Sequence, residues 1–149
     1  MNQDYLELLR DLSAAEARFL IVGAYALAIH ARPRATGDLD LWIEATPENA
    51  GRVYRALRAF GAPLADLTEA NLTEPDLVYQ IGMVPRRIDI LTTLTGLTFR
   101  EARESRVAGR LGDIACDIIG RDALIRNKRA VGRPRDLADL ADLEDAAGP

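Results

Sequence analysis

The stretch "RATGDLDLWIEA", Arg34 to Ala45, sets two aspartates one residue apart at the head of an otherwise apolar, β-prone run. From Asp38 to Glu44 polar and apolar residues alternate with period two. Leu39, Leu41 and Ile43 therefore fall on one face of a strand, and Asp38, Asp40, Trp42 and Glu44 on the other. Both carboxylates then point the same way, ~7 Å apart along the strand. Placing two like charges on a strand that enters the core is costly unless they are paired or hold a cation.

Working outward from this strand, "RFLIVG" reads as a short buried strand ended by Gly23, and "AYALAIHA" as an apolar helix running toward Pro33. An amphipathic helix carrying Tyr5, Leu6, Leu9 and Leu12 precedes them. On the C-terminal side, Thr46 followed by Pro47 makes an N-cap and first helical position, and Gly61 closes the helix. A polar loop is expected over 62–76, with some local turns. "DLVYQIGMVPRRIDIL" then reads as two strands around a "GMVP" turn, with Arg87 and Asp89 sharing a face of the second. "LTFREARES" is expected as a helix capped by Thr98, "RVAGRLGDIACDII" as a hairpin turned at Gly109 to Gly112, and "RDALIRNKRAV" and "PRDLADLADLEDA" as helices split by Gly132 and Pro134. The tail from Asp145 to Pro149 is expected to fray. The pattern predicts an α/β (α+β) class with a mixed sheet and helices packed on it.

The 149 residues fit one domain, with a core over about residues 15–120 and a C-terminal helical segment over about 121–146. With 48% hydrophobic and 28% charged residues the composition is that of a soluble globular protein. No apolar run reaches the length of a membrane span, and the N-terminus lacks the pattern of a secretory signal, so a cytoplasmic location without membrane association is expected. Cys116, the only cysteine, excludes an internal disulfide and reads as a small core residue. The net charge of −4 argues against a nucleic-acid coat protein, although basic residues cluster from Arg121 to Arg135. His30, the sole histidine, follows an apolar helix and reads as a structural hydrogen-bonder.

A third strand-borne aspartate, Asp89 in "RIDIL", changes the weight of the first two. Divalent magnesium prefers hard oxygen ligands and completes its shell with water and phosphates. If Asp89 lies on a neighbouring strand, the three carboxylates can hold two ions ~3.5 to 4 Å apart, the arrangement used for phosphoryl or nucleotidyl transfer. The alternatives are structural: Asp38 can simply end the preceding loop, Asp40 can pair with Arg34 or Arg87, and the strands can be solvent-facing edges.

Taken together, "FLIVGAYALAIHARPRATGDLDLWI" and "RIDIL" resemble the minimal nucleotidyltransferase superfamily, and "HARPRATGDLD" with "LIRNKRAVGRPRDLADLADL" resembles bacterial nucleotidyltransferase-like proteins of abortive-infection and toxin-antitoxin systems. The resemblance covers nearly the whole chain. It implies a nucleotidyltransferase-like mixed sheet flanked by helices and a transfer of nucleoside monophosphate from an NTP to a hydroxyl on a tRNA or a protein. It further implies Mg²⁺ or Mn²⁺ as cofactor, held by catalytic Asp38, Asp40 and Asp89, with Asp89 helping to deprotonate the acceptor. A cognate toxin or antitoxin would be a partner; nothing in the sequence sets the oligomeric state.

The family pattern has Gly followed by Gly or Ser at the phosphate-binding turn, whereas this chain has Gly23 and Ala24. A helix N-terminus still offers N–H groups to an anion there, without the serine hydroxyl. Arg34 and Thr36, just ahead of the aspartates, are candidates for triphosphate contact, with neutralisation of the carboxylates the other reading of Arg34. Lys128, the single lysine, reaches the phosphates or complements a helix C-terminus. Arg133 and Arg135 read as solvated charges or as contacts to RNA or an acidic partner. A non-catalytic binding member of the same fold is the main rival. A glycosyltransferase would bring a larger nucleotide-binding domain, and a D-x-D-x-T phosphatase fails because Trp42 stands where threonine is required.

Overall fold

The computed structural model describes residues 2–31, 37–83 and 85–146. Arg34 and Thr36 lie outside the described residues. The elements run α1 (Gln3–Ala14), β1 (Phe19–Val22), α2 (Gly23–His30), β2 (Leu39–Ile43), α3 (Pro47–Phe60), a 3-10 turn (Ala70–Thr73), β3 (Val78–Ile81), β4 (Ile88–Leu91), α4 (Phe99–Glu104), β5 (Val107–Leu111), β6 (Ile114–Ile118), α5 (Arg121–Val131) and α6 (Pro134–Ala146). The six strands form one mixed sheet in the order β3-β4-β2-β1-β6-β5. Strand β2 runs antiparallel to β1 and parallel to β4, and β1 runs parallel to β6. The fold is thus the expected mixed α/β sheet flanked by helices, including two at the C-terminal end.

Local chemistry explains most element ends. Thr46 caps α3 by accepting from the Asn49 N–H, Pro47 opens the helix, and Gly61 closes it at φ +90°. Thr98 and Glu101 form a reciprocal capping box on α4. The buried Asn49 side chain accepts from the Arg18 N–H at 2.7 Å and donates to the carbonyls of Arg18 and Glu44 at 2.9 Å each, tying the start of β1 to the end of β2.

Along β2, Leu39, Leu41 and Ile43 are buried on one face and Trp42 on the other, so the sheet is covered on both sides. Helix α1 packs on α3 and reaches β6, whereas α2 lies on β1 and β2 and touches α5 and α6. Trp42 meets Phe99 edge-on at 5.2 Å between ring centroids. The single breach in β2 is Asp40.

Two expectations need correction. The β5–β6 hairpin turns at Gly112 and Asp113, because Leu111 pairs with Ile114. Gly109 instead sits inside β5 opposite Cys116, where the Ile118 side chain fills the space a Cβ would need. A glycine there marks close packing rather than a turn. Similarly, α6 continues through Ala146, so Asp145 is helical rather than frayed; residues 147–149 lie outside the described range. Cys116 is buried in β6, and His30 Nε2 lies 2.7 Å from the Ile119 carbonyl, joining α2 to the residue after β6.

Candidate active site

Strand β1 delivers the chain to Gly23, whose φ of +67° turns it sharply into α2. A Cβ at this position would collide with Asp40 Oδ2, so the glycine also makes room for the carboxylate on the neighbouring strand. Antiparallel pairing of β1 and β2 puts Val22 opposite Asp40; parallel pairing of β2 and β4 puts Asp89 opposite Asp40 on the other side. The three strands at the centre of the sheet therefore place Gly23, Asp40 and Asp89 side by side. Asp38 precedes β2 by one residue and faces the same cavity.

Arg87, two residues before Asp89 on β4, stands among the carboxylates. Its Nε donates to Asp89 Oδ1 at 2.7 Å and its Nη2 to Asp89 Oδ2 at 3.2 Å. The same Nη2 lies 3.2 Å from Asp38 Oδ2, and the Arg87 backbone N–H donates to Asp38 Oδ1 at 3.3 Å. Among the described residues no ion pair reaches Asp40. Burial, then the charge of Asp89, a side-chain hydrogen bond with it and the charge of Asp38 push the Asp40 pKa up to about 7.

Tyr5 supports this arrangement from α1. Its hydroxyl donates to the Gly37 carbonyl and lies 3.3 Å from the Arg87 carbonyl, so one buried side chain links the segment before Asp38 to the segment before Asp89. Burial and the neighbouring Tyr25, which it meets edge-on, push its pKa up to about 12.

A cavity of about 590 Å³ opens in front of these residues. Val22, Gly23, Ala24, Gly37, Asp38 and Asp40 line one side; Thr93, Thr95, Asn127, Lys128, Arg133, Arg135, Asp136 and Asp139 line others. Five of the candidates named from sequence, Gly23, Ala24, Asp38, Asp40 and Lys128, thereby meet in one place. Asp89 is not among the residues lining the cavity; it lies beside Asp40 on β4, largely buried and gripped by Arg87.

The wall opposite the sheet comes from α5 and α6. Gly132, at φ +68°, closes α5 and lets α6 fold back beside it. Lys128 Nζ then lies 3.1 Å from Asp139 Oδ2 and 3.4 Å from Asp136 Oδ1. Arg133 binds Asp136 through Nε at 2.7 Å and its backbone N–H at 3.2 Å. These contacts, led by the Arg133 hydrogen bond, hold the Asp136 carboxyl down at about 2. Asn127 donates to the Thr95 carbonyl at 3.0 Å and fixes the loop after β4 against α5.

The sequence alone points to none of Thr93, Thr95, Asn127, Asp136 and Asp139, and it leaves Arg133 as a solvated charge or a contact to RNA or an acidic partner. The R-x-x-D spacing from Arg133 to Asp136 across a helix start was the available signal, since a side chain at that offset reaches back to the first N–H groups.

The donor chemistry of Asp38, Asp40 and Asp89 suits a hard divalent cation: three carboxylates converge, and burial together with the charge of its neighbours raises the pKa of Asp40. In the arrangement present, however, no group of three His, Cys, Asp or Glu side chains among the described residues is spaced to hold a metal ion. Arg87 supplies positive charge to Asp38 and Asp89.

The chain matches no protein-family model and no curated protein sequence. Its fold is similar to that of a Thermotoga maritima protein known from a crystal structure and described as a "putative nucleotidyltransferase", at a TM-score of 0.59 and 12% identity, over 97% of this chain and 95% of that one. At that identity the likeness establishes the nucleotidyltransferase-like fold of this chain. No helix among the described residues is long and apolar enough to cross a membrane.

Proposed function

We propose that the protein is a metal-dependent nucleotidyltransferase that moves a nucleoside monophosphate from an NTP to a hydroxyl on RNA or protein. The observation that carries this reading is the meeting of the Gly23 turn, the α2 N-terminus and the Asp38–Asp40 pair in one cavity, with Asp89 directly across the parallel strands from Asp40.

In this reading Asp38, Asp40 and Asp89 hold Mg²⁺ or Mn²⁺ once Arg87 has moved aside. The bound cation supplies Lewis-acid stabilisation of the charge that develops on the phosphoryl and leaving oxygens. The first N–H groups of α2 at Gly23 and Ala24 receive the phosphates, and the methyl of Ala24 leaves the backbone as the donor there. Lys128, Arg133 and Arg135 supply positive charge from the opposite wall, and Arg34 and Thr36 are further candidates for triphosphate contact. The acceptor oxygen attacks the α-phosphorus, the bond from that phosphorus to its bridging oxygen breaks, pyrophosphate leaves with the electron pair, and Asp89 helps to take the hydroxyl proton. A role in a toxin-antitoxin or abortive-infection system, with a cognate partner, follows from the sequence resemblance.

A second reading, a non-catalytic binding partner of the same fold, draws on one observation: Arg87 pairs with both Asp38 and Asp89, so the chain itself neutralises two of the three carboxylates. Equilibrium binding of each NTP with Mg²⁺, and with the metal chelated, separates the two. The enzyme reading expects Mg²⁺-dependent binding that Asp38→Ala with Asp40→Ala abolishes. Absence of metal-dependent binding to any NTP, in folded protein, favours the partner.

A further inference from the structure

The nucleotidyltransferase reading gives Arg87 no task of its own, although it grips two of the three carboxylates. Arg87 is a fork rather than a point charge, and it uses three of its donors, Nε, Nη2 and the backbone N–H, on two carboxylates, one just before β2 and one on β4. Such bidentate pairing in a half-buried setting is much stronger than an exposed ion pair. The Asp89 side chain is 11% exposed, against 26% for Arg87 and 28% for Asp38, and the Arg87 Nη2 lies 3.2 Å from Oδ2 of Asp38, which lines the cavity. A cation that takes oxygens from both Asp38 and Asp89 competes for the atoms that Arg87 holds.

We infer that Arg87 is an internal counter-ion that occupies the cation's place in the nucleotide-free protein, so that divalent-ion binding requires the guanidinium to leave, and that a triphosphate entering the cavity draws it away. This inference rests on the nucleotidyltransferase reading above. Its physical basis is an exchange of partners. With the cavity empty, displacing Arg87 strands a guanidinium beside a newly bound dication, and like-charge repulsion penalises ion binding. With a polyphosphate present, the guanidinium gains phosphate oxygens in the same fork geometry, while the carboxylates gain the ion. The two ligands therefore bind with positive coupling, and by linkage each strengthens the other by the same factor.

Residues 85–87 follow the β3–β4 connection, and their start is held closely: Gly37 packs on the Pro85 carbonyl, and the Tyr5 hydroxyl reaches the carbonyls of Gly37 and Arg87. The backbone on either side of the guanidinium is thus fixed. Exchange is then a motion of the Arg87 side chain away from Asp38 and Asp89, with the backbone held in place.

The test measures Mn²⁺ binding by electron paramagnetic resonance on the full chain, for the native protein, Arg87→Met and Arg87→Lys, with and without a non-hydrolysable NTP analogue. Circular dichroism establishes that each variant is folded. For the native protein, Mn²⁺ affinity is expected to rise at least tenfold when the analogue is added. Arg87→Met is expected to bind Mn²⁺ at least tenfold more tightly than the native protein without nucleotide, and to lose most of the nucleotide-dependent gain. Arg87→Lys, which keeps the charge but loses the fork, is expected to fall between the two and guards against a folding defect in the methionine variant. If the native protein binds Mn²⁺ and neither variant binds it more tightly, the counter-ion role is overturned while the metal site stands. If no form binds Mn²⁺ under any condition, the metal-dependent reading fails and this inference with it.

Discussion

Replacing Asp40 by Asn should stabilise the metal-free protein while removing a ligand from the proposed metal site. Burial and Asp89 raise the Asp40 pKa from 3.8 to about 7 in the folded state, so the fold holds a proton that the unfolded chain has released. Stability from this group is therefore greatest in acid, declines as pH rises from about 4 to about 7, and stays low above that. At about 1.4 kcal/mol per pKa unit the ceiling at pH 8 is roughly 4 kcal/mol, and the solvent-facing mouth of the cavity reduces the expected effect to about 2 kcal/mol. An Asn side chain carries no charge at any pH, and its amide can donate to the facing Asp89. For a chain of this size, about 2 kcal/mol raises the midpoint of thermal unfolding by roughly 4–8 °C. Thermal scans in chelator at pH 4.5 and pH 8 should show the Asp40→Asn advantage at pH 8 and little or none at pH 4.5. Titrating groups that do not interact with Asp40 cancel in the difference. An Asn variant no more stable than the native protein at pH 8, or a gap that does not change with pH, would refute the reasoning.

The other predictions concern residues that build the site. Gly23→Ala forces a non-glycine residue to φ +67° and drives its methyl into the Asp40 carboxylate; a loss of about 2–3 kcal/mol in urea unfolding is expected, and a loss below about 0.5 would show that the turn relaxes freely. Tyr5→Phe removes the hydroxyl between the Gly37 and Arg87 carbonyls and should cost about 1–2 kcal/mol by the same assay; an unchanged midpoint would mean that water replaces the hydroxyl without penalty. Asp136 has its pKa lowered to about 2, chiefly by Arg133, so its contribution is present above about pH 4 and lost as pH falls toward 2. The stability gap between the native protein and Asp136→Asn should accordingly be constant above pH 4 and close between pH 4 and pH 2 in acid-unfolding titrations.

Features written in local sequence were legible. Thr46, Pro47 and Gly61 bound α3 because capping uses side chains within one turn of the helix end. The D-x-D alternation placed Asp40 and Trp42 on one face because strand geometry has period two. What depended on pairing between distant strands was not legible. Arg87 and Asp89 share a face by spacing alone, yet the grip of Arg87 on Asp38 exists only because β4 lies parallel to β2 in the register that sets Asp89 opposite Asp40. The misplaced hairpin turn has the same origin: two glycines sit three residues apart, and only the pairing of β5 with β6 and the position of Ile118 decide which one turns the chain. The opposite wall required knowing that Gly132 folds α6 back on α5, which brings Asp136 and Asp139 to Lys128.

The measurement that bears most directly on the central claim is transfer of label from each α-labelled NTP, with Mg²⁺ or Mn²⁺, into total cellular RNA and protein, comparing the native chain with Asp38→Ala plus Asp40→Ala. The account predicts labelled RNA or protein with the native chain and none with the double variant, with the labelled species identifying the nucleotide and the acceptor class. Equal labelling by both forms, or none by a folded native chain that binds NTP and metal, would contradict it.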